Sequence, residues 1–220
     1  MSAITISREI GSKGDWIAQE VSLRLGYHLV NKHTLERIFL QYGFVDFKEM
    51  YDISSFWARF DPQLGEMVGM LNHFIQALAA HGKVVLVGRG GFAMLKDFTD
   101  VLNIRIQAPL AQRIAQVMLE EKISDTTNAE IVVKESDRIR KNFLETAYGS
   151  RWNATNSFDL VIDTGKISPE IAVEWIVDTM LRIESDKKTG QMTTASMEID
   201  PVMANAIREV FNEVIETGEL

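Results

Sequence analysis

The stretch ITISREIGSKGDWIAQEV, residues 4–21, decides the fold of this 220-residue chain. An apolar, strand-like run over 3–7 enters a short turn of serine and glycine, and a helical pattern over 15–25 leaves it. This order is typical of a phosphate-binding loop, because amides before a helix N-terminus and the helix dipole attract an anion. Gly11 and Gly14 permit a close approach of the anion, and Lys13 adds a positive charge.

Outward from this stretch, short apolar runs alternate with helical patterns. Further strands are predicted at 27–30, 84–87, 101–106 and 159–162, and further helices at 34–42, 64–82, 109–118 and 168–180. Strands that alternate with helices imply parallel pairing in an α/β layered fold. Residues 44–62 are aromatic and irregular, and residues 125–151 form a charged, helical excursion.

Composition excludes several classes of protein. The chain has no cysteine, so disulfides and thiolate metal sites are absent, and its four histidines lack a metal-binding spacing. A net charge of -8 argues against a broad nucleic-acid surface. No apolar run approaches the ~20 residues of a membrane span, and the N-terminus has no basic segment before an apolar one. We therefore expect a soluble cytoplasmic protein without nucleic-acid or membrane partners.

A second anion site is predicted after the strand VVLVGRGG, residues 84–91. Ligands of open α/β sheets bind outside the carboxyl ends of the strands, where Arg89 stands between glycines. Its guanidinium fork matches a phosphate or a carboxylate. The alternative is a solvated surface arginine.

The excursion ESDRIRKNFLETAYGSRW, residues 135–152, carries three arginines. Arg138 and Arg140 are close together on a helix, and Arg151 follows further on. Arginines on a mobile segment can close over a phosphoryl group in transit and neutralise its spread charge. The alternative is a charged, solvated helix face.

The C-terminal segment reads as an extension. Residues 184–196 form a polar linker, and residues 201–215 form an amphipathic helix. Its apolar stripe comprises Met203, Ile207, Val210, Phe211, Val214 and Ile215. This stripe predicts either docking onto the core of the same chain or a contact with a second copy, such as a homodimer; the long linker permits both.

Several of these motifs together resemble the cytidylate kinase-like family of P-loop nucleoside monophosphate kinases. Four segments are similar to family segments and lie in the same order. They are ISREIGSKG at 6–14, VGRG at 87–90, the arginine-bearing DRIRKNF at 137–143 and FDLVIDTGKISPEIAVEWI at 158–176. The resemblance spans residues 3–182. It implies a three-layer P-loop kinase-like fold in residues 1–183, with a parallel five-stranded sheet and a helical lid at 124–152. The linker and helical extension at 184–220 lie outside the resemblance.

The resemblance also implies ligands and roles. ATP is the expected donor, Mg²⁺ lies between the phosphates, and a small nucleotide such as CMP is the acceptor. The roles it implies are donor-phosphate binding by Arg8, Gly11, Ser12, Lys13, Gly14 and Asp15, metal binding by Asp15, catalysis by Lys13, Arg138 and Arg140, acceptor binding by Arg89 and Arg151, and a nucleobase pocket near Asp46, Trp57, Arg59 and Asp61.

The loop departs from the family pattern at two positions. Gly14 stands where the loop lysine belongs, and Asp15 stands where the Mg²⁺-binding hydroxyl belongs. Lys13 is one residue early, and one residue rotates a side chain by about 100° on a helix. Arg8 is the nearest spare cation.

Three hypotheses therefore stay open. The first is an ATP-dependent phosphotransferase acting on CMP or a related acceptor. The second is a nucleotide sensor that kept the fold and lost catalysis. The third is an oligomeric interaction module that works through the C-terminal helix.

Overall fold

The computed structural model describes residues 2–43, 62–149, 155–186 and 190–217. Five strands form one sheet in the order β2-β3-β1-β4-β5, and every neighbouring pair is parallel. The strands are β1 (Ala3–Arg8), β2 (His28–Val30), β3 (Val84–Val87), β4 (Val101–Gln107) and β5 (Leu160–Asp163). The predicted parallel five-stranded α/β fold is confirmed.

Most of the described helices lie at predicted positions, but the short helix Gly91–Leu95 was not predicted and the helix Pro169–Ser185 extends five residues beyond its predicted end. They are α1 (Gly14–Leu25), α2 (Lys32–Tyr42), α3 (Pro62–His81), α4 (Gly91–Leu95), α5 (Leu110–Glu120), α6 (Thr126–Tyr148), α7 (Pro169–Ser185) and α8 (Pro201–Thr217). Side-chain oxygens of Asn31, Asp125 and Ser168 accept hydrogen bonds from first-turn amides of α2, α6 and α7. These contacts satisfy donors that a helix itself leaves unpaired.

The sheet separates two apolar layers. On one face, α1 and α7 pack on alternate strand residues such as Ile4 and Ile6. On the other face, α2, α3 and α8 bury Ala3, Val84 and Leu86. Strands covered on both faces must be apolar on both, which explains the continuous run of β3.

Parallel pairing brings three turns to one edge of the sheet. Ile6 of β1 pairs with Val87 of β3, and Arg8 pairs with Ile106 of β4, so the turns that follow β1 and β3 lie side by side. Thr164, directly after β5, donates its amide to Gln107 O at 2.9 Å and reaches the same edge. Ligands of such sheets bind at this edge.

The C-terminal segment docks onto the core of its own chain. Asp100 accepts two hydrogen bonds from the Thr194 amide and one from its hydroxyl, all of them buried. Farther along, Phe211 is 2% exposed and stacks on the ring of His28, with centroids 4.0 Å apart. Burial and the nearby His81 lower the pKa of His28, so the stacked ring is favoured in its neutral form. Met203, Ile207, Val210 and Phe211 of the predicted stripe are thus buried against their own chain, whereas the side chains of Val214 and Ile215 lie outside those that the structure describes.

No helix within the described ranges is both long enough and apolar enough to cross a membrane.

Candidate functional site

The turn between β1 and α1 is built for close approach. Gly11 has a φ of +74°, and a Cβ there would lie 2.5 Å from the backbone oxygen of Arg113. Ser12 is buried and donates its hydroxyl to Glu9 O at 2.7 Å. Thr164 donates its hydroxyl to Ser12 O at 3.0 Å and so fixes the turn from the end of β5. The turn is therefore fixed from within by the Ser12 hydroxyl and from outside by Thr164.

The start of α1 offers amides to an anion. Lys13 has a left-handed backbone with a φ of 63°, and Gly14 begins the helix. None of the described residues accepts a hydrogen bond from the amides of Lys13, Gly14 or Asp15. Such first-turn amides, at the positive end of the helix dipole, match a phosphate.

The charged side chains of this turn are engaged with other protein groups. Asp15 lies in the first turn of α1 and accepts a hydrogen bond of 3.0 Å from Arg8 Nε. Lys13 is exposed, and its Nζ lies 3.6 Å from a carboxylate oxygen of Glu120 at the end of α5. The ammonium of Lys13 therefore pairs with a carboxylate outside the turn, and the cation that pairs with Asp15 is Arg8.

The turn after β3 places Arg89 beside Arg8. Gly88, Arg89 and Gly90 all have positive φ, of 77°, 61° and 75°. A Cβ at Gly88 would lie 2.8 Å from Arg8 Nη1, and a Cβ at Gly90 would lie 2.2 Å from the Tyr148 ring. The positive φ favours glycine at both positions, and at Gly90 the ring of Tyr148 also fills the space that a side chain would need.

Burial lowers the pKa of Arg89 to about 9. The charges of Arg8 and Arg140 contribute to this lowering of the pKa, and the carboxylate of Glu36 on α2 opposes it. A buried guanidinium with two further guanidiniums near it creates a positive potential. Such a potential attracts a negatively charged ligand.

The two arginines of the lid helix α6 differ in their surroundings. Burial, and next the charge of Arg8, lower the pKa of Arg140 to about 10, while Asp15 and Asp137 oppose the shift. Arg138 is exposed and makes two hydrogen bonds to Glu135 on its own helix, which raise its pKa. In this arrangement Arg140 joins the cluster of cations, and Arg138 faces solvent.

An ionic network missed by the sequence analysis ties the turn to the lid. Glu9 accepts a hydrogen bond of 2.9 Å from Arg105 of β4, and its other oxygen lies 3.4 Å from Nε of the buried Arg113. Arg113 also donates two hydrogen bonds, of 3.0 and 2.9 Å, to Asp137 of α6. This network positions the turn between β1 and α1 relative to β4, α5 and α6.

Replacing Asp137 with asparagine is expected to lower the free energy of unfolding by about 2 kcal/mol, because it leaves the buried Arg113 without its bidentate partner. Urea unfolding measures the change. Glu135→Gln on the same helix is the matched control, since its pair with Arg138 is exposed and should contribute less than about 1 kcal/mol. Equal losses in the two variants would contradict the role given to the network.

Several predicted residues fall outside the described ranges. These are Asp46, Trp57, Arg59 and Asp61 of the predicted nucleobase pocket, and Arg151 of the lid. In the part of the chain that the structure does describe, no three histidine, aspartate or glutamate side chains gather into a metal-binding cluster. Asp15, the predicted metal ligand, lies at the turn with 68% of its side chain exposed.

The comparisons with known proteins agree with this geometry. A sequence profile of the cytidylate kinase-like family matches residues 3–166. The chain belongs to that family. A cytidylate kinase of Pyrobaculum aerophilum is 30% identical over 178 residues, covering 81% of this chain and 92% of that protein. A cytidylate kinase of Pyrobaculum neutrophilum is 28% identical over 191 residues, covering 86% of this chain and 99% of that protein.

A third relative matches only in part. A uronate isomerase of Corynebacterium glutamicum is 34% identical over 100 residues, which are 44% of this chain and 19% of that protein. The chain thus spans about a fifth of the length of this relative, and the match assigns no activity to this cytidylate kinase-like chain.

Solved structures support the same fold. A protein of Eubacterium ventriosum has a TM-score of 0.64 at 21% identity, covering 84% of this chain and all of that one. Shikimate kinase of Acinetobacter baumannii has a TM-score of 0.50 at 11% identity, covering 84% of this chain and 96% of that one. At these identities the likeness concerns the fold alone: this member of the cytidylate kinase-like family has a P-loop kinase fold.

Proposed function

We propose that this protein is an ATP-dependent phosphotransferase whose acceptor is a nucleoside monophosphate of the CMP type. The observation that carries the proposal is the adjacency of two anion sites at one sheet edge. Amides at the start of α1 form the first, and the turn that holds Arg89 forms the second, with Arg8 reaching between them. Two phosphorylated ligands placed side by side are what phosphoryl transfer needs.

Each site is assigned one ligand. The amides of Lys13, Gly14 and Asp15 bind the donor polyphosphate, and Arg89 binds the acceptor phosphate through its guanidinium fork. An oxygen of the acceptor phosphate attacks the terminal phosphorus of the donor, and the bond from that phosphorus to the leaving ADP oxygen breaks. Arg140, on the lid, faces the same space and neutralises the charge of the transferring group.

Asp15 fits a magnesium-dependent donor. Mg²⁺ prefers oxygen ligands and is ordinarily held by one or two carboxylates together with phosphates and water. Asp15 is an exposed carboxylate at the turn, whereas the Ser12 hydroxyl is already committed to Glu9 O. When bound, the ion would neutralise phosphate charge, and the Asp15 carboxylate would bind the ion in place of the Arg8 guanidinium.

A nucleotide sensor without catalysis is the second candidate. One observation favours it: Lys13 pairs with Glu120 and Asp15 pairs with Arg8, so both charged loop side chains are held by protein groups. The interaction-module hypothesis has less support, because Met203, Ile207, Val210 and Phe211 of α8 pack against α2 and α3 of their own chain.

The test is a coupled assay of ADP release with MgATP and a panel of CMP, dCMP, UMP, AMP and GMP. The phosphotransferase proposal expects turnover with at least one pyrimidine nucleotide, and Arg182→Ala, an exposed arginine on α7, serves as a control of unchanged activity. Saturable binding of ATP or CMP by calorimetry without turnover on any acceptor would replace the proposal with the sensor.

A further inference from the structure

We propose that Arg8 supplies, from the end of β1, the cation that a phosphate loop ordinarily supplies as a lysine at the start of its helix, and that this cation spans the donor and acceptor phosphates. The inference rests on the proposed function and deepens it. The position of the Arg8 side chain accounts for Gly14, which stands where the loop lysine belongs, and brings a guanidinium next to Gly88.

The position of Arg8 is intermediate between the two anion sites. Its Nη2 lies 2.9 Å from Asp15 Oδ1 at the start of α1. Its Nη1 lies where a side chain on Gly88 would begin, 2.8 Å from the Cβ that such a residue would carry. One guanidinium therefore touches both the donor turn and the acceptor turn, and its side chain is only 20% exposed.

The stem of Arg8 accounts for Gly14. A Cβ on Gly14 would lie 2.5 Å from Arg8 Cβ and 2.9 Å from its Cγ. The Cβ of Arg8 is fixed by the backbone of β1 and cannot move aside as the end of a long side chain can. Arginine at 8 and lysine at 14 are thus sterically exclusive, and the loop lysine, which reaches the β- and γ-phosphates in a P-loop, is replaced rather than lost.

The other charged groups fit this role. The charge of Arg8 acts on both Arg89 and Arg140 and lowers the pKa of each. Asp15 is the carboxylate that balances Arg8 in the structure. A polyphosphate on the amides of α1 would take over the guanidinium from Asp15, since phosphate oxygens accept the same hydrogen bonds with more charge.

The experiment compares Arg8→Gln and Arg8→Lys with the unaltered protein and with Arg24→Gln, an exposed arginine at the other end of α1. Calorimetry measures the Kd of inorganic tripolyphosphate, and the coupled assay measures kcat and KM. Arg8→Gln is expected to raise the Kd by about tenfold and to lower kcat by about 10². Arg8→Lys should retain most of the affinity, and Arg24→Gln all of it. Melting temperatures check that each variant is folded.

A relocated cation gives the sharper test. Arg8→Gly removes the cation and the obstructing Cβ, and Gly14→Lys in that background restores a cation from the helix side. The double variant is expected to bind tripolyphosphate at least several-fold more tightly than Arg8→Gly, while Gly14→Lys alone, which clashes with Arg8, should bind more weakly than the unaltered protein. No recovery in the double variant would overturn the equivalence of the two cations.

The outcomes separate this inference from the proposed function. If the unaltered protein transfers phosphate and Arg8→Gln matches it within twofold in Kd and kcat, the role of Arg8 is overturned and the function stands. If no acceptor is phosphorylated but tripolyphosphate binding depends on Arg8, the transfer is overturned and the phosphate role of Arg8 is supported. Absence of tripolyphosphate binding in the unaltered protein overturns both.

Discussion

Replacing Arg89 with alanine is expected to lower kcat/KM for the acceptor nucleotide by about 10²–10³, the range found when one partner of a buried charge pair is removed. Arg89 is held by a turn with three consecutive positive φ angles, so its guanidinium is positioned by the backbone. Burial, and next the charge of Arg8, lower the pKa of Arg89. A bound phosphate would place an opposite charge beside this buried guanidinium, which is why the loss should fall mainly on KM of the acceptor.

Arg89→Lys tests geometry separately from charge. Lysine keeps the charge but presents a single ammonium instead of a planar fork, so a loss intermediate between the arginine and alanine forms is expected. Steady-state kinetics at varied acceptor and fixed MgATP measure both variants, and KM for ATP should change by less than about threefold. An alanine variant whose acceptor kinetics equal those of the unaltered protein would contradict the acceptor site.

Replacing Phe211 with alanine should lower the free energy of unfolding by about 3–5 kcal/mol, as for other buried phenylalanines. Phe211 is 2% exposed, stacks on His28 and packs in the same apolar cluster as Leu35 and Leu78 of α2 and α3. For a chain of this size the melting temperature would fall by roughly 10 °C. Urea unfolding and calorimetry measure the two quantities.

Val202→Ala is the matched control on the same helix, because Val202 is 64% exposed, and its substitution should change stability by less than about 0.5 kcal/mol. The mass measured by light scattering should be the same for both variants and the unaltered protein. A Phe211→Ala variant of unchanged stability but altered oligomeric mass would show that α8 serves a partner rather than its own core.

Local sequence pattern predicts most of the fold. The run over 84–87 has no alternation and becomes β3, buried on both faces. Ser168 before Pro169 predicts the start of α7, and the structure places the capping hydroxyl there. Such signals succeed because capping and burial depend on residues within one turn or one strand.

A local sequence pattern does not predict which surface the C-terminal helix packs against. The stripe of α8 has the same periodicity whether it covers its own core or that of another chain. The decisive contacts, Asp100 with Thr194 and His28 with Phe211, join residues far apart in sequence. Only the packed structure distinguishes the two interpretations, because both bury the same side chains.

The site shows the same limit. The glycines and Arg89 indicate an anion site, because the glycines permit unusual backbone conformations and Arg89 stands between two of them at the carboxyl end of a predicted strand. The network of Glu9, Arg105 and Arg113 gives a weaker signal: its local sign is Arg105, a charged residue inside the buried strand β4. The direction of Lys13 toward Glu120 depends on how α5 packs and cannot be read from residues 9–15.

A crystal structure of the complex with CMP, Mg²⁺ and a non-hydrolysable ATP analogue tests the central claim most directly. The account predicts the triphosphate on the amides of Lys13, Gly14 and Asp15, the phosphate of CMP on Arg89, and the guanidinium of Arg8 between them. A complex in which the analogue binds elsewhere and the turn after β1 carries no phosphate would contradict it.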